Sequence, residues 1–153
     1  KFIFKLHKYT PENLFREYVN EAIKNAAKTN SRMSIIAISS ENTSEAKEMA
    51  LGKKTSDILG KAYHIIKDTL RREGDEVIKN NGDMLVILVG CDKQNALNAK
   101  KRIGEILYGY LLSQKVAGMV TLHFETATYP DDAGDEISLI AKAKPEKSYK
   151  YYL

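Results

Sequence analysis

The stretch that decides the fold runs from residue 76 to residue 89 and is Glu-Val-Ile-Lys-Asn-Asn-Gly-Asp-Met-Leu-Val-Ile-Leu-Val. Two apolar runs in it, 76–79 and 84–89, flank the polar residues Asn80-Asn81-Gly82-Asp83. Asn and Gly tolerate the positive φ angles that a tight turn requires. The stretch therefore predicts a β-hairpin.

Upstream of this hairpin the apolar residues recur alternately at strand and at helical spacing. A capping hydroxyl followed by Pro, Thr10-Pro11, marks the start of the first helix. In chain order the predicted elements are a lead-in strand over 1–9, a helix over 10–28, a buried strand over 33–38 and a helix over 44–72 that breaks near Gly52.

Downstream of the hairpin, Asp92 predicts the cap of a helix of about twenty residues. A strand over 116–128, a turn over 129–132 and a short helix over 135–143 follow. The long helix has apolar residues at helical spacing, and we expect these to face inward: Ala96, Leu97, Ile103, Ile106, Leu107 and Leu111.

The resulting order, β-α-β-α-(α)-β-β-α-β-α, predicts an α+β domain in which helices pack on a central, mainly antiparallel sheet. The 153 residues form one such domain, without internal repeats or linkers. Because the sequence begins at Lys1, we expect it to be a fragment of a larger protein.

Composition excludes several function classes. The net charge is +4, but 19 of the 24 basic residues are Lys and they are scattered, so we expect no nucleic-acid partner. The single cysteine, Cys91, forms no internal disulfide, which is typical of a reducing cytoplasm. The histidines His7, His64 and His123 have no metal-ligand spacing, so no metal site is expected. No apolar run reaches the ~18 residues of a membrane span, so we expect a cytoplasmic domain, whether or not the whole protein is membrane-anchored.

The hairpin and its surroundings resemble the GGDEF domain of diguanylate cyclases. The five signature positions here are Asn81-Gly82-Asp83-Met84-Leu85. Residues 120–132 are similar to the family's strand V-T-x-S-I-G-V-A-x-Y-P-x-D, and residues 52–57 to its Gly-His-x-x-Gly-Asp. The resemblance covers residues 10–145 and implies a nucleotide-cyclase-like sheet with a ferredoxin-like core, in agreement with the order of elements above.

The resemblance also implies that this chain does not synthesise cyclic di-GMP. The family's two magnesium ions require carboxylates, one of them at the end of the first core strand, where this chain has Ser39-Ser40. Asp83 keeps the third signature position, but Met84 replaces the acid after it and Asn81 replaces the first Gly. We therefore expect no catalytic residues.

Other family contacts with the nucleotide are also altered. Glu45 aligns with a phosphate-facing Lys and Glu48 with a guanine-reading Asn, whereas Asp57 matches a second guanine contact. These comparisons leave a degenerate remnant of the active site, which consists of Asp57, Asn81, Gly82 and Asp83.

A second family site is retained. Active members often have an inhibitory Arg-x-x-Asp whose Arg lies nine residues before the first signature Gly, and counting back from Asn81 gives Arg72-Glu73-Gly74-Asp75. Arg102 falls where the family has a further ligand-contacting Arg. The resemblance implies a cyclic di-GMP receptor site at Arg72, Asp75 and Arg102, with no cofactor, that regulates neighbouring domains or partner proteins.

Three alternatives stay open. Arg72 and Asp75 could form a surface salt bridge worth ~0–1 kcal/mol. The domain could be a structural or dimerisation module that binds no nucleotide and forms a homodimer. It could also process a nucleotide slowly, using Asp83 and Asp57.

Overall fold

The computed structural model describes residues 13–42, 52–70, 72–80, 83–115 and 120–144. The predicted lead-in strand over 1–9 and the turn residues Asn81 and Gly82 lie outside the described residues. In chain order the described elements are α1 (Leu14–Lys28), β1 (Met33–Asn42), α2 (Gly52–Thr69), β2 (Glu76–Asn80), β3 (Asp83–Val89), α3 (Lys93–Ser113), β4 (Val120–Tyr129) and α4 (Glu136–Ala143).

The four described strands form one antiparallel sheet in the order β2-β3-β1-β4. Strand β1 lies in the interior of the sheet, where Ser39 is opposite Asp83 of β3 and His123 of β4. The run β1-α2-β2-β3-α3-β4 has the β-α-β-β-α-β connectivity of a ferredoxin-like core. The predicted α+β class with an antiparallel central sheet is confirmed.

Both faces of the sheet are covered by helices, because successive side chains of a strand point to opposite faces. Ile36 and Ile38 of β1 belong to a core cluster with α2 and α3, whereas Met33 and Ile35 belong to a second cluster with α1 and α4. All four of these side chains are almost completely buried. The sheet therefore separates two apolar cores.

The predicted hairpin and the predicted Asp92 cap are confirmed, and the structure shows a second cap at Asp135. Strands β2 and β3 pair with Asn80 opposite Asp83. Asp92 caps α3, since its Oδ1 accepts a hydrogen bond from the Asn95 backbone N at 2.8 Å. Asp135 caps α4 in the same way, accepting from the Ser138 N at 2.8 Å.

Some predicted boundaries are wrong. The second helix ends at Thr69 rather than at residue 72, so Arg72 lies outside it. Strand β1 continues beyond Ser39-Ser40 to Asn42, because β4 pairs with it along its whole length. Helix α1 begins at Leu14 after Asn13, and the predicted cap Thr10-Pro11 lies outside the described residues.

Two residues of α3 were wrongly expected to face inward. Leu97 is 40% exposed and Ile106 37% exposed. Helix α3 packs on the sheet with one side only, which the buried residues Ala96, Ile103 and Leu107 occupy. The apolar surface of α3 is thus wider than the side that the sheet covers.

Two hydroxyls lie in the sheet interior. Ser34 Oγ donates to the Cys91 carbonyl oxygen at 2.8 Å, and Ser34 Oγ and Thr128 Oγ1 are hydrogen-bonded at 2.8 Å. Both residues are 0% exposed. They connect β1 and β4 to the segment between β3 and α3.

Among the described helices, none is both long and apolar enough to cross a membrane.

Candidate functional site

Arg72 and Asp75 are the two ends of a tight turn between α2 and the edge strand β2. The Asp75 backbone N donates to the Arg72 carbonyl oxygen at 3.1 Å. Gly74 between them has φ +94°, a conformation that L side chains rarely adopt. The glycine thus allows the turn that places both charged residues at the base of the β2–β3 hairpin.

The Asp75 carboxylate anchors this turn to the neighbouring strand. Its Oδ1 accepts a hydrogen bond from the Val89 backbone N at 2.8 Å, at the end of β3. Burial raises the pKa of Asp75, and this effect outweighs the opposing effects of the Val89 hydrogen bond and the Arg72 charge. The carboxylate is therefore held in a fixed position and is partly desolvated.

The Arg72 guanidinium is exposed and lies against the segment after β3. Its Nη1 donates to the Gly90 carbonyl oxygen at 3.4 Å, a long hydrogen bond. A Cβ atom at Gly90, which has φ +56°, would be 3.4 Å from Arg72 Nη2. Among the described residues the ion pairs within 4 Å are Arg32–Asp131 and Lys93–Asp132, so Arg72 and Asp75 do not form one.

Arg102 is exposed on α3. It continues the row of residues spaced by four that includes Ile106 and Tyr110, and Tyr110 packs against the buried pair of Ile58 on α2 and Leu111. At 1.5 Å per residue, Arg102 lies about 14 Å along the axis from the start of α3. No hydrogen bond or ion pair joins it to Arg72 or Asp75 among the described residues.

Two of the four residues in the remnant of the family's active site are described. Asp83 is exposed at the start of β3, and Asp57 is exposed on α2. Asn81 and Gly82, as well as Glu45 and Glu48, lie outside the described residues. In the described part of the chain, no three His, Cys, Asp or Glu side chains are grouped so that they could hold a metal ion.

The residues beside Asp83 do not offer further carboxylates. Met84 is 3% exposed and packs in the core between the sheet and helices α2 and α3. Opposite Asp83, Ser39 is buried, and its Oγ has no hydrogen-bond partner among the described residues. The opposed pair Asp83 and Ser39 thus supplies one carboxylate and one neutral hydroxyl, and a two-magnesium centre requires more carboxylate ligands than this pair offers.

Sequence reasoning missed the contacts that hold the Arg72–Asp75 turn. Val89 and Gly90 supply them through backbone atoms, and backbone atoms leave no trace in residue identity. The available signals were the two glycines, Gly74 and Gly90, because both adopt positive φ angles.

The comparisons with known proteins agree with this fold. A family model described as diguanylate cyclase, GGDEF domain, matches residues 11–150. No match was found among curated proteins.

Several solved structures share the fold. The GGDEF domain of PA1120 (YfiN or TpbB) from Pseudomonas aeruginosa has a TM-score of 0.64 at 21% identity, covering 85% of this chain and 82% of that one. A DGC protein from Thermotoga maritima has a TM-score of 0.60 at 20% identity, covering 86% and 93%. The GGDEF domain of DgcB from Caulobacter crescentus, solved in complex with c-di-GMP, has a TM-score of 0.57 at 12% identity, covering 90% and 81%.

Proposed function

Since the chain belongs to the GGDEF domain family, we propose that it is a signalling domain that binds cyclic di-GMP at Arg72, Asp75 and Arg102 without synthesising it. Ligand binding at this position would change how the domain packs against neighbouring domains or partner proteins. The ligand class has support from structural relatives, since the DgcB domain of Caulobacter crescentus was solved with c-di-GMP.

The observation that carries the proposal is the shape of the Arg72–Asp75 turn before any ligand is bound. Asp75 is held by Val89 and the backbone turn, whereas Arg72 is exposed with one long hydrogen bond to Gly90. The carboxylate is thus in place, and the guanidinium has most of its five donors available. The carboxylate would therefore lose little conformational entropy when a ligand binds.

The chemistry of these two groups matches a guanine base and its phosphate. A guanidinium can donate two hydrogen bonds to guanine O6 and N7 and can also stack on a base or pair with a phosphate. A carboxylate can accept from the guanine N1–H and N2–H groups. Arg102 adds a second, exposed cation on α3.

The absence of cyclase activity is supported by the donors around Asp83. Magnesium requires oxygen ligands, and Met84 directs a thioether into the core instead. Loss of one positioned acid or base typically lowers the rate about 10²–10⁴-fold, and several of the family's groups are replaced here.

Isothermal titration calorimetry with cyclic di-GMP tests the binding site. We expect a Kd near micromolar, about −8 kcal/mol, and at least tenfold weaker binding by Arg72→Ala. Arg16→Ala is the matched control, because Arg16 is an exposed arginine on α1 at the other face of the sheet. No heat from the folded wild type, or equal losses in both variants, would reject the site.

Incubation with GTP and magnesium tests the lack of synthesis. We expect no cyclic di-GMP above the level without enzyme, measured by chromatography. Product that forms with the wild type and disappears with Asp83→Ala would instead establish residual catalysis at the degenerate site.

A dimerisation module is a second candidate, favoured by the outer side of α3. Leu97, Tyr108 and Leu112 are 40%, 57% and 52% exposed. Their separations of eleven and four residues place them on one side of the helix. Sedimentation equilibrium of the wild type, Leu112→Glu and Arg72→Ala tests this candidate. It requires that the wild type be a dimer, that Leu112→Glu dissociate the dimer and that Arg72→Ala leave it intact.

A further inference from the structure

A cavity of about 850 Å³ lies along the outer edge of β2, between helices α1 and α2. This volume lies in the range of small-molecule sites, about 300–1,000 Å³. The residues that characterise its lining are Tyr18, Tyr63, Lys67, Val77, Ile78 and Lys79. None of these belongs to the site proposed above.

The floor of the cavity is a row of backbone groups that can form hydrogen bonds. Strand β2 is at the edge of the sheet among the described strands. In an antiparallel ladder, every second residue turns its N–H and C=O away from the partner strand. The edge of β2 therefore offers alternating donors and acceptors in the plane of the sheet.

The walls of the cavity supply one aromatic ring from each face of the sheet. Tyr63 of α2 packs against the core cluster that contains Val77, whereas Tyr18 of α1 packs against the cluster that contains Ile78. A flat ring that continued the plane of the sheet would lie between the two tyrosines. Its edge would face the β2 backbone, with one tyrosine in the lining on either side of the sheet plane.

Charge is distributed unevenly along this edge. Lys79 extends over α2, where its Nζ would be 3.8 Å from a Cβ atom at Gly60. Asp75 and Glu76 line the opposite end of the strand. Neither Lys79 nor Lys67 forms an ion pair within 4 Å in the described part of the chain. Lys79 therefore supplies an unpaired positive charge that would attract an anionic group to its end of the strand.

We propose that this cavity binds a nucleoside monophosphate. The base lies between Tyr18 and Tyr63 with its hydrogen-bonding edge on β2, and the phosphate lies at Lys79. The cavity meets the Arg72 site at Asp75, but the residues assigned to the ligand here, Tyr18, Tyr63 and Lys79, are not part of that site, so the proposal does not depend on the function proposed above.

Calorimetric titrations with AMP and GMP test this proposal, with adenosine and ribose 5-phosphate as the two halves of the ligand. We expect a Kd of about 1 mM or tighter for at least one nucleotide and at least tenfold weaker binding of both halves. Absence of binding by AMP and GMP at that strength would overturn the proposal. Ribose 5-phosphate binding as tightly as the nucleotides would also overturn it, because the base would then contribute nothing.

Variants locate the binding. We expect Lys79→Ala and Tyr63→Leu to weaken it at least tenfold, with folding checked by circular dichroism. Because Lys79 is exposed, we expect Lys79→Ala to fold, and this variant tests the site even if Tyr63→Leu unfolds. Lys24→Ala, an exposed lysine on α1, is the matched control. Nucleotide binding that is lost in Arg72→Ala and kept in Lys79→Ala would assign the nucleotide to the Arg72 site and overturn the proposal.

Discussion

Gly74 is the residue on which the Arg72–Asp75 turn depends for its backbone shape. With φ +94°, it lies where a side chain is strained, and a Cβ atom there would be 3.3 Å from Val89 Cγ2. We expect Gly74→Ala to lower the free energy of unfolding by about 1–3 kcal/mol, measured by urea denaturation.

The matched control for this substitution is Gly109→Ala in α3. A Cβ atom at Gly109 would meet nothing within 4 Å. Because alanine is the better helix former, this variant should gain about 0.5–1 kcal/mol. If both substitutions changed the free energy of unfolding in the same direction, the positive φ at Gly74 would not account for the effect of Gly74→Ala.

Asp75 should make stability depend on pH in a direction opposite to that of most carboxylates. Burial raises its pKa from the ordinary 3.8, and the Val89 hydrogen bond and the Arg72 charge offset this only in part. A carboxyl with a raised folded-state pKa stabilises the fold below its unfolded pKa, and this contribution is lost as the pH rises through the folded value.

We therefore expect Asp75→Asn to gain stability relative to the wild type as the pH rises above about 4. The measurement is the free energy of unfolding of both proteins across the acidic range. Parallel curves would show that the pKa of the Asp75 carboxyl is not perturbed.

The affinity of the wild type for cyclic di-GMP should fall when Asp75 is protonated, because the carboxylate is the form that accepts two hydrogen bonds.

The sequence predicted which residues belong to the candidate site but not the contacts that hold them. Arg72 and Asp75 could be identified because they lie at the same distance before Asn81 as the family's Arg-x-x-Asp lies before its first signature residue. Their anchoring by Val89 and Gly90 could not be predicted, because it depends on where β3 ends beside the turn. Whether these residues bind cyclic di-GMP stays a prediction.

Among the helices, α3 has the best-defined start. Asp92 accepts from the Asn95 N at 2.8 Å, and we expect Asp92→Ala to cost about 1 kcal/mol in thermal unfolding. Asp92→Ser should restore most of that loss, since its hydroxyl can accept the same bond. A cost that serine does not reduce would indicate a role other than capping.

Elements with local signals were predicted well, and elements that depend on distant partners were not. The hairpin and the Asp92 cap are coded within a few residues. The extension of β1 to Asn42 depends on pairing with Val120, far along the chain. Leu97 and Ile106 were misplaced because helical spacing identifies an apolar side but not how much of it the sheet covers.

For the molecule as a whole, ligand binding should appear as thermal stabilisation. A ligand at 100 times its Kd adds about 2.7 kcal/mol, which for a domain of this size raises the Tm by about 5–10 °C. We expect this rise with cyclic di-GMP for the wild type and for Arg16→Ala. Arg72→Ala, which we expect to bind at least tenfold more weakly, should show at most about half of this rise at the same concentration, and an equal rise in all three proteins, measured by scanning calorimetry, would place the ligand elsewhere.

The hydrogen bond between Ser34 and Thr128 has a consequence for which sheet forms. The two residues are directly opposite each other in the β1–β4 ladder. A shift of this pairing by two residues would keep every apolar side chain on its own face, because side chains alternate with a period of two. Such a shift would separate the two hydroxyls and leave that of Thr128 buried without its partner, at a cost of about 1–3 kcal/mol, whereas Ser34 would keep its hydrogen bond to the Cys91 carbonyl oxygen. The pair thus selects one alignment among several that hydrophobic burial alone would accept.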